Sequence, residues 1–134
     1  MTTGPETPKF FRMNIEVDDL NAAKAFYEVL FDMPGRLQAG ARLYFTTGAV
    51  TLQVVDVSSV GAPHAAAKAL YFTVKDLDAA HARAASLGAL SHDKVHGLAG
   101  GDINVRPWGE RSFYAQDPWA NPLCFVEEGT TYAG

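Results

Sequence analysis

The sequence predicts an α+β protein made of two tandem βαβββ modules, and three observations carry that expectation. An ungapped internal repeat aligns Val17, Asp19, Leu20, Ala22, Ala23, Ala25 and Leu30 with Val74, Asp76, Leu77, Ala79, Ala80, Ala82 and Leu87. In each copy an alternating apolar segment runs into one with helical spacing. The chain then closes on two apolar runs, 111–116 and 123–126, around Asp117-Pro118-Trp119-Ala120-Asn121-Pro122, which has the composition of a hairpin loop.

Residues 1–9 are polar, hold two prolines and have no period, so they read as a loose terminus. The first module spans 10–57. Phe10 to Val17 alternates as a strand, with Phe11, Met13, Ile15 and Val17 on one face and Arg12, Asn14 and Glu16 on the other. Asp19 reads as an N-cap, and Leu20, Ala23, Phe26, Tyr27 and Leu30 recur at helical spacing up to the break at Pro34. Strands follow around 35–38, 42–47 and 51–57, with turns at Gly40-Ala41 and Gly48-Ala49.

A small, Pro-containing linker, 58–68, leads to the second module, 69–128, and residues 129–134 form a tail. Here 70–75 is the strand and 76–87 the helix, with Gly88 just past its C-terminus. A strand near 90–95 comes next. Residues 97–107, with Gly97, Gly100 and Gly101, form the longest structureless stretch and read as a flexible flap. In the closing hairpin, Arg111, Phe113 and Ala115 share one face and Ser112, Tyr114 and Gln116 the other.

Composition narrows the function. A chain of 134 residues suits one domain or two small modules sharing a core, and 48% hydrophobic with 19% charged residues is a globular balance. A net charge of −4 without basic runs argues against nucleic acid. No apolar run approaches the roughly 20 residues needed to span a bilayer, and the N-terminus lacks signal-peptide features, so the expectation is a cytoplasmic protein that does not enter membranes. The single cysteine, Cys124, cannot form an internal disulfide.

The pattern W-G-x-R-x-F-Y-x-x-D-P-x-x-N-P-L, Trp108 to Leu123, together with V-x-D-L-x-x-A-x-x-F-Y, Val17 to Tyr27, resembles the vicinal oxygen chelate superfamily of glyoxalases, extradiol dioxygenases, fosfomycin-resistance enzymes and bleomycin-resistance proteins. The usual turn is DPDGN, so Trp119 and Ala120 depart from it. Ala120 adopts a positive φ less readily than Gly would. The resemblance implies a cupped mixed sheet around a cleft with the helices outside, and a homodimer.

It also implies four cleft-facing metal ligands drawn from His, Glu or Gln. Carried over by motif register, these positions hold Arg12, Gln53, Ala69 and Cys124. A permanent cation, an amide, a methyl group and a thiol do not make a site for a hard or borderline divalent ion. The expectation is therefore a member without metal or other cofactor, which binds a small organic molecule. His64, His81, His92 and His96, with Asp93 and Asp102, are the alternative metal set, but no third ligand has a defined spacing, and His81 reads as solvated.

Alternation adds Asn14 and Glu16 to Arg12, Tyr71 and Thr73 to Ala69, and Val55 to Gln53. Similarity to the S-F-Y segment of fosfomycin-resistance enzymes turns Ser112 and Tyr114 inward. The expected ligand-binding set is thus Arg12, Asn14, Glu16, Gln53, Tyr71, Thr73, Trp108, Ser112, Tyr114 and Cys124, with Trp108 and Trp119 near a rim. Each residue also has a structural reading: Arg12 pairing with Glu16, the tyrosines as packing residues, Cys124 as a small buried hydrophobe, and Trp108 as a shaper of the hairpin. The leading function is metal-independent ligand binding of the bleomycin-resistance kind. The alternatives are a metal-dependent glyoxalase, dioxygenase or fosfomycin-resistance-like enzyme, and an inert dimerising module.

Overall fold

A computed structural model describes residues 6–38 and 40–132. The first module contains β1 (Arg12–Val17), α1 (Leu20–Phe31), β2 (Arg36–Gln38), β3 (Arg42–Thr47) and β4 (Val50–Asp56). The second contains β5 (Leu70–Val74), α2 (Leu77–Ser86), the short β6 (Lys94–Val95), β7 (Leu98–Ala99) and β8 (Asn104–Val105), then β9 (Arg111–Gln116) and β10 (Pro122–Glu127). The strands form two open four-stranded sheets of matching order, β1-β4-β3-β2 and β5-β10-β9-β8, while β6 and β7 make a separate ribbon. In each sheet the first strand lies parallel to the last and the others are antiparallel.

Local chemistry accounts for the helices. The Asp19 side chain accepts from the Ala22 N–H at 3.0 Å and the Asp76 side chain from the Ala79 N–H at 3.0 Å, so each satisfies an orphan donor of a first turn. Helix α1 buries Ala23, Phe26, Tyr27 and Leu30, and α2 buries Leu77, Ala80 and Ala84. These stripes lie over the inward residues of the sheets: Ile15, Val17, Leu43, Phe45, Leu52 and Val54 in the first, Phe113, Ala115, Leu123 and Phe125 in the second. Phe31 joins the two layers. Its ring centroid lies 5.3 Å from Phe45, 5.0 Å from Phe72 and 6.4 Å from Phe125. Both modules therefore share one core.

Several expectations need correction. The first strand begins at Arg12 rather than Phe10, and Phe10 and Phe11 remain exposed. In place of a strand at 90–95 there is one bridge, Leu90 to Ala115, and then the β6–β7 ribbon. The stretch 97–107 is a packed loop, not an open flap. Gly100 and Gly101 are buried, the Gly100 N–H donates to Asp93 O at 2.8 Å, and Gly100 O accepts from the Tyr114 N–H at 2.8 Å. A Cβ on either glycine would meet backbone oxygen at 2.7 Å, which is why this loop needs glycine. Ala120 does adopt a positive φ, +67°.

Candidate functional site

Strand alternation gives each sheet a second face, opposite the helices. On the second sheet the register lines up Tyr71, Cys124 and Tyr114 in one row and Thr73, Val126 and Ser112 in the next. The Tyr71 and Tyr114 hydroxyls are 3.2 Å apart. Arg106, at the end of the packed loop, lies over these rows with its Nε donating to Ser112 Oγ at 2.9 Å and its Nη2 to the Ser112 carbonyl at 3.3 Å. The guanidinium carbon sits 5.2 Å from the Tyr114 ring centroid. Arg106 is only 2% exposed.

Burial sets the proton affinities on this face. It pushes the Cys124 thiol up to about 11, against the opposing pull of Tyr114, Ser112 and the Arg106 charge. It also raises the Tyr114 phenol, with the Tyr71 hydroxyl adding to the effect. Cys124 is therefore a neutral thiol at pH 7 and no activated nucleophile. Beside it is a hollow of about 420 Å³, lined by Tyr71, Thr73, Trp108, Glu110, Val126 and Tyr132 among others. Trp108 Nε1 donates to Glu110 Oε1 at 2.7 Å, and its ring meets His96 at 4.9 Å.

The equivalent row of the first sheet is Asn14, Gln53 and Tyr44. Gln53 is buried, and its Nε2 donates to Asn14 Oδ1 at 3.1 Å. Glu16 does not pair with Arg12. It accepts from the His64 N–H at 2.8 Å, and this bond holds its carboxyl below the usual range. Arg12 stacks over Phe11 instead, at 5.1 Å. Arg12, Asn14, Glu16 and Gln53 thus stand on one sheet, and Tyr71, Thr73, Trp108, Ser112, Tyr114 and Cys124 belong to the other. Between the sheets, on the helix side, runs an apolar groove of about 670 Å³ whose walls include Met13, Phe31, Leu52, Phe72 and Phe125.

The Asp117–Asn121 turn latches the modules together. Asp117, buried, accepts from Tyr27 Oη at 2.5 Å, from the Asn121 N–H and Nδ2 at 2.8 Å each, and from the Trp119 N–H at 2.9 Å. Asn121 reaches the Glu16 carbonyl at 3.2 Å, and Trp119 Nε1 donates to Asp18 at 2.6 Å. Trp119 therefore braces β1 from a half-buried position.

The sequence model of the Glyoxalase/Bleomycin resistance protein/Dioxygenase superfamily matches residues 9–125. The chain belongs to that superfamily. Solved structures agree on the fold of this vicinal oxygen chelate protein. A glyoxalase/bleomycin resistance protein from Albidiferax ferrireducens is 20% identical at TM-score 0.72, over 89% of this chain and 98% of that one. A lactoylglutathione lyase from Agrobacterium tumefaciens is 24% identical at TM-score 0.63, over 94% and 96%. A bleomycin resistance determinant encoded on transposon Tn5 is 16% identical at TM-score 0.67, over 91% and 99%. No curated protein matches the sequence.

Superfamily membership raises the question of a divalent metal, and the donor set does not fit one. The positions that the resemblance assigns to metal ligands hold Arg12, Gln53, Ala69 and Cys124, and the Cys124 thiol holds its proton where a ligand must lose it. Among the described residues no three His, Cys, Asp or Glu side chains gather as a metal set. The histidines are dispersed. His64 lies on Glu16, His96 on Trp108, and His92 is exposed. His81 is half-buried rather than solvated, with Nε2 2.8 Å from Gly101 O and its ring against Phe113. It lies next to the buried stripe of Leu77, Ala80 and Ala84 on α2. Arg106 had no signal in the sequence, because a loop has no period.

Proposed function

We propose that the protein binds a small organic molecule without a metal, as a homodimer, in the manner expected of the bleomycin-resistance branch. The observation that carries this reading is the exchange at the ligand positions: metal donors are replaced by Arg12, Gln53, Ala69 and Cys124, while the adjoining face keeps hydroxyls and aromatic rings around a hollow. The full ligand-binding set is Arg12, Asn14, Glu16, Gln53, Tyr71, Thr73, Trp108, Ser112, Tyr114 and Cys124. A lone, unpaired thiol suits a reducing compartment such as the cytoplasm.

Dimerisation is supported by two unpaired strand edges. Among the described residues β1 pairs only with β4, and β5 only with β10, and the exposed Phe10, Phe11, Met13 and Tyr71 lie along or next to these edges. A second copy seated there would cover the apolar groove and bring the first sheet's polar row to the second sheet's row. Light scattering on the purified protein should give twice the chain mass.

Metal analysis of protein purified without chelator, with a thermal-shift screen of divalent ions, tests the central claim. The expected result is no stoichiometric metal and no metal-dependent rise in melting temperature. One metal per chain that also stabilises the fold would overturn the reading in favour of a metalloenzyme.

A further inference from the structure

Arg106 carries a full charge at any ordinary pH, yet it is 2% exposed and forms no ion pair among the described residues. Two of its guanidinium nitrogens are bonded to Ser112, and the third, Nη1, is buried with no hydrogen-bond partner among the described residues. Buried polar atoms are nearly always satisfied, and a buried cation without an anion is among the costlier exceptions. The Tyr114 ring face offsets part of the charge but accepts no conventional hydrogen bond from Nη1. Of the two carboxylates four residues away, Glu110 is engaged with Trp108 Nε1 and the Tyr132 N–H, and Asp102 is exposed. The Ser112 hydroxyl accepts from Arg106 Nε and has one proton of its own to donate.

We propose that Arg106 is the anchor for an oxyanion, a carboxylate or phosphate group carried by the small molecule, with Nη1 as principal donor and the Ser112 and Tyr114 hydroxyls beside it. This deepens the ligand-binding reading above, on which it rests, by naming the ligand's chemical class. The aromatic walls of the neighbouring hollow, Tyr71, Trp108 and Tyr132, receive the rest of the molecule. Access requires the Tyr114 ring to turn. It is half-buried, and its hydroxyl is held at the outer end by exposed Tyr71. A purely structural clamp, holding the loop to β9 through Ser112, would use Nε and Nη2 and leave Nη1 unexplained.

The test is thermal melting of the full-length protein at constant ionic strength with benzoate, inorganic phosphate or benzylammonium. An occupied anchor raises the melting temperature by about 5 °C at ten times the dissociation constant. Benzoate alone acting assigns a carboxylate, phosphate alone a phosphate, and benzylammonium should do nothing. Arg106→Gln should abolish the anion shift. Because that variant could also fold poorly, the Arg106 Nε–H resonance of the unaltered protein is followed in parallel, and it should move on adding the active anion. If neither anion shifts the melting temperature or that resonance, the anchor is wrong. Binding of benzylammonium in the same screen would then leave the ligand-binding reading standing, whereas a stoichiometric metal would remove that reading independently.

Discussion

The two modules share a strand order and an N-cap, but they treat their outward faces differently. In the first, Asn14, Gln53 and Tyr44 form a row in which amide bonds amide, Asn14 stays exposed, and helix α1 is followed within a few residues by β2. In the second, the equivalent row is Tyr71, Cys124 and Tyr114, and the stretch 88–103 between α2 and β8 folds back to lead Arg106 over it. The first row also carries an arginine, Arg36 of β2, whose guanidinium carbon lies 5.8 Å from the Tyr44 ring centroid, but that residue is exposed. In the second, the longer connection lays a buried arginine, Arg106, against the Tyr114 ring. The difference shows that a connection can bury a charge over a strand face, whereas the face alone supplies only the residues its alternation presents.

The sharpest way to break the comparison is to ask whether the modules are separable. Phe125 of β10 stacks on Phe113 and Phe72 at 5.3 and 5.6 Å and also meets Phe31 of α1. Phe125→Ala should cost about 3–5 kcal/mol, and urea unfolding should remain a single transition. A second, unshifted transition would show that the first module stands alone. Next in size is the latch. Asp117→Ala strips partners from Tyr27 Oη and the Asn121 side chain, both buried, and should cost about 3 kcal/mol in the same measurement.

The paired positions Gln53 and Cys124 differ in titration. Burial pushes the Cys124 thiol from 9.0 to about 11, so the folded chain holds this proton more tightly than the unfolded one. The resulting stability is complete below the ordinary thiol range near 9 and is lost as pH rises toward about 11. Urea midpoints from pH 8 to 11 should therefore fall more steeply for the parent than for Cys124→Ala, by on the order of 2 kcal/mol across the window. Equal slopes would mean that Cys124 does not feel the burial the structure gives it.

The smallest effect concerns the turns. Between β3 and β4 the left-handed position is Gly48, at φ +65°, whereas between β9 and β10 it is Ala120, at φ +67°. Ala120→Gly removes the steric cost of that conformation but adds freedom to the unfolded chain, so stability should rise by no more than about 0.5 kcal/mol. A clear loss in the thermal melt would show that the Ala120 methyl makes contacts of its own.

The local signals read well because they are local. Asp19 and Asp76 cap their helices through bonds to residues three positions on, and the alternation of Arg111 to Gln116 sorted Phe113 and Ala115 from Ser112 and Tyr114 before any fold was known. Phe10 and Phe11 misled for the opposite reason. Their hydrophobicity suggested a buried strand face, but although the Phe11 carbonyl accepts from the Thr51 N–H at 2.8 Å, both side chains remain exposed. The loop between α2 and β9 was illegible in detail because its ribbon, its buried glycines and its packing on Tyr114 depend on contacts with distant strands.

The sequence alone determined the doubled βαβββ order, the superfamily and the residues facing away from the core, since periodicity, capping and turn chemistry act over a few neighbours. Only the tertiary structure decided that the polar residues divide between two sheets, that His81 is half-buried and that Arg106 packs against the Tyr114 ring with an unpartnered nitrogen. Those facts come from which surfaces exclude water together, a property that belongs to the assembled core and to no single stretch of chain.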